Sequence, residues 1–155
     1  MSRLWILTAL VLGAIGATCK GGGTGPGDDL RAELEAARER WEDRGFTDYA
    51  LTLQRDCFCP ETHRGPVVVN VRSRQVQTRI YQATGEPVPS EPAQFFPDVD
   101  GLFAFLEDAI DRDAYQIRAE FHPELGYPTQ IFVDFESLMA DEEQGYQTLS
   151  LEPLP

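Results

Sequence analysis

Cys57-Phe58-Cys59-Pro60, followed by His63, is the densest set of soft ligands and nucleophiles in this 155-residue chain. Two thiolates and an imidazole suit zinc or another thiophilic metal. The C-x-C-x3-H pattern, however, lacks an evident fourth ligand and does not have the spacing of a structural zinc motif. Pairing of Cys57 with Cys59 is the reading expected in an oxidising compartment. In an extended strand, residues i and i+2 share a face near the upper distance limit for a disulfide, so a bridge requires a bend. Pro60 marks where the strand ends. The alternatives left open are a metal site and free thiolates activated in an arginine-rich stretch with His63 as partner. A Ser73–His63–Asp56 set can be written down, but Ser73 lacks the Gly-x-Ser-x-Gly elbow of a hydrolase nucleophile.

A second chemistry is suggested by Asp134, Glu136, Asp141, Glu142 and Glu143, with no basic residue from Ile131 through Tyr146. Carboxylates this dense repel one another unless they are solvated or share a cation. Calcium accepts oxygen-only ligands, and Asp134, Asp141, Glu142 and Glu143 are the candidate set. Their spacing is not that of an EF-hand loop, and Asp98-x-Asp100-Gly101 is only a fragment of one. The competing expectation is an acidic loop whose side chains cap backbone amides. No glycine loop of phosphate-binding type is present, because Gly21 to Gly27 lacks the Lys-hydroxyl ending and a preceding strand. No pair among the 26 acidic residues stands out as catalytic. The sequence therefore predicts no enzyme and no cofactor.

Cys19 carries the third chemistry, acylation. Ahead of it, Met1-Ser2-Arg3 is a cationic start, and Leu4 to Ile15 is an apolar run broken only by Thr8 and Gly13. This is the layout of an export signal, and its core is shorter than the roughly 20 residues of a membrane span. After it, Lys20-Gly21-Gly22-Gly23-Thr24-Gly25-Pro26-Gly27 reads as a spacer. The expected organisation is a signal peptide over 1–18, a lipidated cysteine and tether over 19–27, and one domain over 28–155. Two or more acyl chains would hold such a protein stably on a membrane. Lys20 after the cysteine favours the outer membrane by the sorting logic of enteric bacteria. Gly16 and Thr18 depart from the residues usual before a lipidated cysteine. Cleavage after Gly16 or Ala17, releasing a soluble periplasmic or secreted protein, is the alternative.

The net charge is −13. Residues 86–155 hold 16 acids against Arg112 and Arg118, whereas residues 62–85 hold Arg64, Arg72, Arg74 and Arg79 and no acid. Nucleic acid requires a basic face and is not an expected partner. An acidic domain on a tether suits solubility and leaves an envelope protein or a cation as the expected partner.

The elements that must position these residues follow from periodicity. Asp28 or Asp29 is expected to cap a helix whose apolar positions are Leu30, Leu34, Ala37 and Trp41, with Gly45 as its stop. The period then changes to two at Tyr49, Leu51 and Leu53, up to Cys57. Val67, Val69 and Val71 begin a hairpin that turns at Arg72-Ser73-Arg74 and returns through Val76, Thr78 and Ile80. A proline-rich loop covers 84–97. Asp98 caps a second helix with Val99, Leu102, Phe103, Leu106 and Ile110 on one face. Strands follow at Tyr115 to Phe121, Tyr127 to Phe135 and Tyr146 to Leu151, the last with Leu149 and Leu151 inward. This predicts an α+β fold: an antiparallel sheet with two helices packed on one face, in the order helix-strand-hairpin, then helix-strand-strand-strand.

Trp41 and Tyr49 ahead of Cys57-Phe58-Cys59-Pro60, a valine strand, Leu102-Phe103, Gly126-Tyr127-Pro128, Ile131-Phe132-Val133-Asp134 and Asp141-Glu142-Glu143 occur in this order. Together they resemble a bacterial family known as domain of unknown function 6174, over about residues 38–151. The resemblance implies an exported protein, in many members a lipoprotein, and no established activity.

Overall fold

The computed structural model describes residues 26–139 and 141–155. Cys19, the leader and most of the spacer lie outside the described residues. In chain order the elements are α1 (Pro26–Arg44), β1 (Tyr49–Cys57), a 3-10 turn (Glu61–His63), β2 (Val67–Arg72), β3 (Gln75–Tyr81), α2 (Ser90–Ala93), α3 (Val99–Asp111), β4 (Gln116–Phe121), β5 (Pro128–Asp134) and β6 (Gln144–Pro153). The six strands form one sheet in the order β3-β2-β1-β6-β5-β4, antiparallel throughout. Leu34, Ala37 and Trp41 of α1 share one core with Leu102, Phe103 and Leu106 of α3 and the inward residues Leu51, Leu53, Val67, Val69, Val71, Ile131 and Val133. Both long helices therefore cover one face, and the α+β architecture expected from periodicity is the one observed. No helix among the described residues is long and apolar enough to cross a membrane.

Local differences have physical causes. α1 begins two residues before Asp28, so Asp28 and Asp29 stand in its first turn, where they face the positive end of the helix dipole, rather than at its cap. Asp98 does cap α3, accepting from the Gly101 amide at 2.9 Å. The inward face of α3 includes Ala109, fully buried, while Ile110 is only partly covered. The proline-rich loop contains the short α2 and delivers Phe96 into the core, an apolar residue with no periodic context to reveal it. Leu149 points outward and is exposed. The pairing of β1 with β6 shifts between Thr52 and Leu53, which leaves Leu149 as the unpaired residue of a bulge. A bulge breaks the two-residue alternation, so Tyr146 turns inward and Leu149 does not.

The two α-β-β-β halves are not a structural repeat. β1 to β3 and β4 to β6 step across the sheet in the same direction, with their helices on the same face. β1, however, runs parallel to β5 and opposite to β4, so only a mirror operation would superpose the halves.

Candidate functional site

The open face of the sheet carries polar side chains, among them Gln54, Thr52, Gln147 and Gln130, because no layer covers it among the described residues. A hollow in it lies at the β1 C-terminal end. Gly145 faces Asp56 on β1 and Phe132 on β5. With no side chain there, the sheet surface sinks into a hollow of about 250 Å³ walled by Asp56, Arg118, Glu120, Gln130 and Phe132. A shallower hollow of about 150 Å³ shares Asp56, Phe132 and Gly145 and extends to Cys57, Phe58 and Glu143. The Arg118 guanidinium lies 4.3 Å from the centre of the Phe132 ring, directly across β4–β5. Here Arg118 and the carboxylates of Asp56, Glu120 and Glu143 surround one aromatic ring. The arrangement suits recognition of a ligand with an apolar body and cationic groups.

The residues singled out in the sequence are distributed as follows. Cys57 and Cys59 stand at disulfide distance with Cα atoms 5.3 Å apart, and Phe58 projects between them. His63 meets Glu91 at 3.1 Å and lies against the Phe95 ring. Asp134 accepts from the Glu136 amide at 3.2 Å, the local capping role that an acidic loop was expected to play. Asp141 adopts a positive φ of 83°. Glu142 has a buried Oε1 without a hydrogen-bond partner, and Glu143 borders the shallower hollow. Among the described residues no three His, Cys, Asp or Glu side chains come together to hold a metal ion. The cation set Asp134, Asp141, Glu142 and Glu143 is therefore not assembled, and neither is Cys57, Cys59 and His63. The Ser73–His63–Asp56 set is dispersed too. Ser73 sits beyond the Tyr49 end of the sheet, its amide donating to Asp48, while Asp56 is near the opposite end, roughly 20 Å along the strand. His122 is occupied locally, Nδ1 accepting from the amides of Glu124 and Leu125.

Asp56, Phe132, Arg118 and Gly145 were not recognisable as a set, since they lie on four different strands. A glycine inside a strand was the available signal, because it marks a close backbone approach or a gap.

Beneath this end, on the helix side, Arg55 is 7% exposed. Its guanidinium lies 4.3 Å from the Phe95 ring centre, and one terminal nitrogen donates to Gln144 Oε1 at 3.2 Å. Its Nε has no partner, and no carboxylate pairs with it among the described residues. Burial pushes the neighbouring Tyr146 phenol above its ordinary pKa, with Arg55 pulling it partly back. A buried cation without a counter-charge is held by packing of its stem and ring contacts rather than by ion pairing. Arg55→Met should therefore keep or raise stability, by up to about 1 kcal/mol. Arg55→Ala should cost about 2 kcal/mol through the cavity it leaves. Urea unfolding of the two variants checks this, and a loss for Met equal to that for Ala would show that the charge is needed.

Other family-like residues serve the core. Trp41 makes edge contacts with Tyr49 and Tyr127, ring centres 5.3 and 6.2 Å away. Gly126-Tyr127-Pro128 thus closes the β4–β5 turn onto α1, and its aromatic is an interior residue. The motif residues that the core does not consume, Cys57-Phe58-Cys59-Pro60, Phe132 and Asp134, and Asp141 to Glu143, meet at one end of the sheet.

No curated protein and no solved structure matches the chain. The model of a family of unknown function, DUF6174, matches residues 33–153, which span the sheet, all of α3 and the C-terminal part of α1, and the chain belongs to that family.

Proposed function

We propose that this is an exported, lipid-anchored cell-envelope protein whose domain is a non-catalytic binding module, with the hollow beside Cys57 and Cys59 as its binding site. The observation that carries the binding role is the meeting of side chains from four strands around a ring and a gap that the core does not require. The dispersal of Ser73, His63 and Asp56, and the engagement of His63 and His122 in local contacts, support binding over catalysis. The anchor rests on the leader and Cys19, with acyl chains as the link to the membrane and an envelope protein as the partner.

Intact mass of the protein extracted by detergent from its native envelope tests the anchor. The expected mass corresponds to a chain beginning at Cys19 with about three acyl chains. A mass of an unmodified chain beginning near Ala17 or Thr18 would instead make it a soluble periplasmic or secreted protein. Phe132→Ser tests the site: the hollow loses its aromatic wall, and pull-down of the partner from the envelope should fail while circular dichroism still reports a folded sheet. Gly145 is unsuited to this test, because a Cβ there would meet the Ile131 carbonyl oxygen at 2.6 Å and push on the sheet itself.

A further inference from the structure

We infer that the Cys57 end of the sheet is a docking surface for a cationic, amphipathic segment of another protein. Five large apolar side chains are well exposed among the described residues, and four of them, Phe58, Tyr115, Leu138 and Met139, belong to this end. The strand register brings them together. Cys57 pairs with Gln144, Gln144 with Val133, and Gln116 with Asp134, so the segments after β1, after β5 and before β4 emerge side by side. Three strand spacings separate β1 from β4, about 14 Å in all. Leu138 is 96% and Phe58 77% exposed, values at which an apolar side chain gains nothing from the fold and marks an interaction surface when clustered. A further hollow of about 350 Å³ lies between Tyr115, Phe135 and Leu138.

Charge selects the occupant. Around these apolar groups stand Asp56, Asp113, Glu136, Asp141 and Glu143, outnumbering Arg112, Arg118 and Arg64, which contact the Phe135 ring at 4.2 Å, the Phe132 ring at 4.3 Å and the Cys59 carbonyl at 2.9 Å. A partner that covers the apolar groups must bring positive charge to the rim. A bilayer is the rival occupant, and geometry gives it a claim. α1 begins at this same end, as the Arg31–Asp111 pair at 2.7 Å shows. The chain from Cys19 to Pro26 spans at most about 25 Å. An acylated Cys19 would thus keep this surface near the membrane. Anionic lipid headgroups attract basic and repel acidic surfaces, however, so the carboxylates favour a cationic protein segment over the bilayer.

The inference rests on the domain being a binding module, but not on its lipid anchor. The test uses the whole chain as isolated, held in nanodiscs of zwitterionic lipid if Cys19 is acylated and free in solution if it is not, and a fluorescent 18-residue Lys/Leu amphipathic peptide. Saturable binding is expected. It should weaken at least tenfold in Phe58→Ser/Leu138→Ser/Met139→Ser and in Glu136→Gln/Glu143→Gln. It should be unchanged in Glu39→Gln/Glu152→Gln, which removes as much charge away from this end. A Glu/Leu peptide should not bind. Binding indifferent to the first two variants, or weakened equally by the third, overturns the inference. A benzophenone cross-linker replacing Leu138 identifies the occupant directly: a peptide adduct supports the inference, and a lipid adduct gives the surface to the bilayer and overturns it. The same cross-linker used in the native envelope separates the two proposals. A protein adduct through a basic segment supports both, one through a neutral or acidic segment overturns only the cationic partner, and the absence of any protein adduct overturns both.

Discussion

Gly126→Ala destabilises the domain by about 2–6 kcal/mol, a large part of the roughly 5–15 kcal/mol that a domain has. Gly126 has a φ of +83°, in the left-handed region, where a residue with a side chain is strained by about 1–3 kcal/mol. A Cβ there would also overlap the Ala37 carbonyl oxygen and lie 2.9 Å from the Trp41 amide nitrogen. Both are backbone of α1 and cannot move without shifting the helix. Relieving that overlap adds about 1–3 kcal/mol, as overpacking does elsewhere. Gly85→Ala is the control. Its φ is +73°, but a Cβ there meets nothing within 4 Å, so only the backbone cost applies. Urea unfolding followed by circular dichroism should place Gly85→Ala below the native chain by the backbone cost alone and Gly126→Ala further below it. Equal losses would mean that the β4–β5 turn does not press on α1.

Trp41→Ala costs about 3–5 kcal/mol, the range for removing a large aromatic from a core. Trp41 is 5% exposed and touches Phe46, Tyr49 and Tyr127, so it joins α1 to the first strand and to the β4–β5 turn at once. The cavity cannot collapse easily, because Tyr49 is held by its own hydroxyl, which accepts from the Val99 amide at the start of α3. A cycle of Trp41→Ala, Tyr127→Ala and the double variant should give a coupling of about 0.5–1.5 kcal/mol from the edge contact. Additive losses would show that the two rings merely share the same interior. Near-ultraviolet circular dichroism provides a second readout, since the aromatic signal should collapse with Trp41 even where the sheet persists.

These two residues mark the limit of what local patterns reveal. The period of α3 and its Asp98 cap are legible, because a 3.6-residue stripe and an N-cap are properties of one continuous segment. The strands at 49–57 and 67–71 are legible for the same reason, through a period of two. Phe96 and Leu149 are not: the first enters the core from a loop without period, and the second is turned outward by a bulge whose position depends on how β6 pairs with β1. Gly126 and Tyr127 read as an ordinary turn, and only the arrival of α1, some 85 residues earlier in the chain, makes them interior.

The candidate site divides along the same line. The chemistry of its parts was present in the sequence by itself: a Cys57 and Cys59 pair, an acidic stretch after Ile131, an acidic net charge that disfavours nucleic acid, and the order of motifs that marks the family. Residue identity and spacing suffice for these, because composition and near-neighbour geometry do not depend on the fold. Tertiary structure decided which parts meet. Pairing of the first strand with the last, about 90 residues apart, put Asp56 and Cys57 beside Gln144 and Gly145 and opened the hollow next to Phe132. The same pairing kept Ser73 at the far end and left the carboxylates of the acidic loop unassembled as a metal site among the described residues. Long-range strand register is set by burial of a whole face at once, a cooperative choice that no short stretch of sequence encodes.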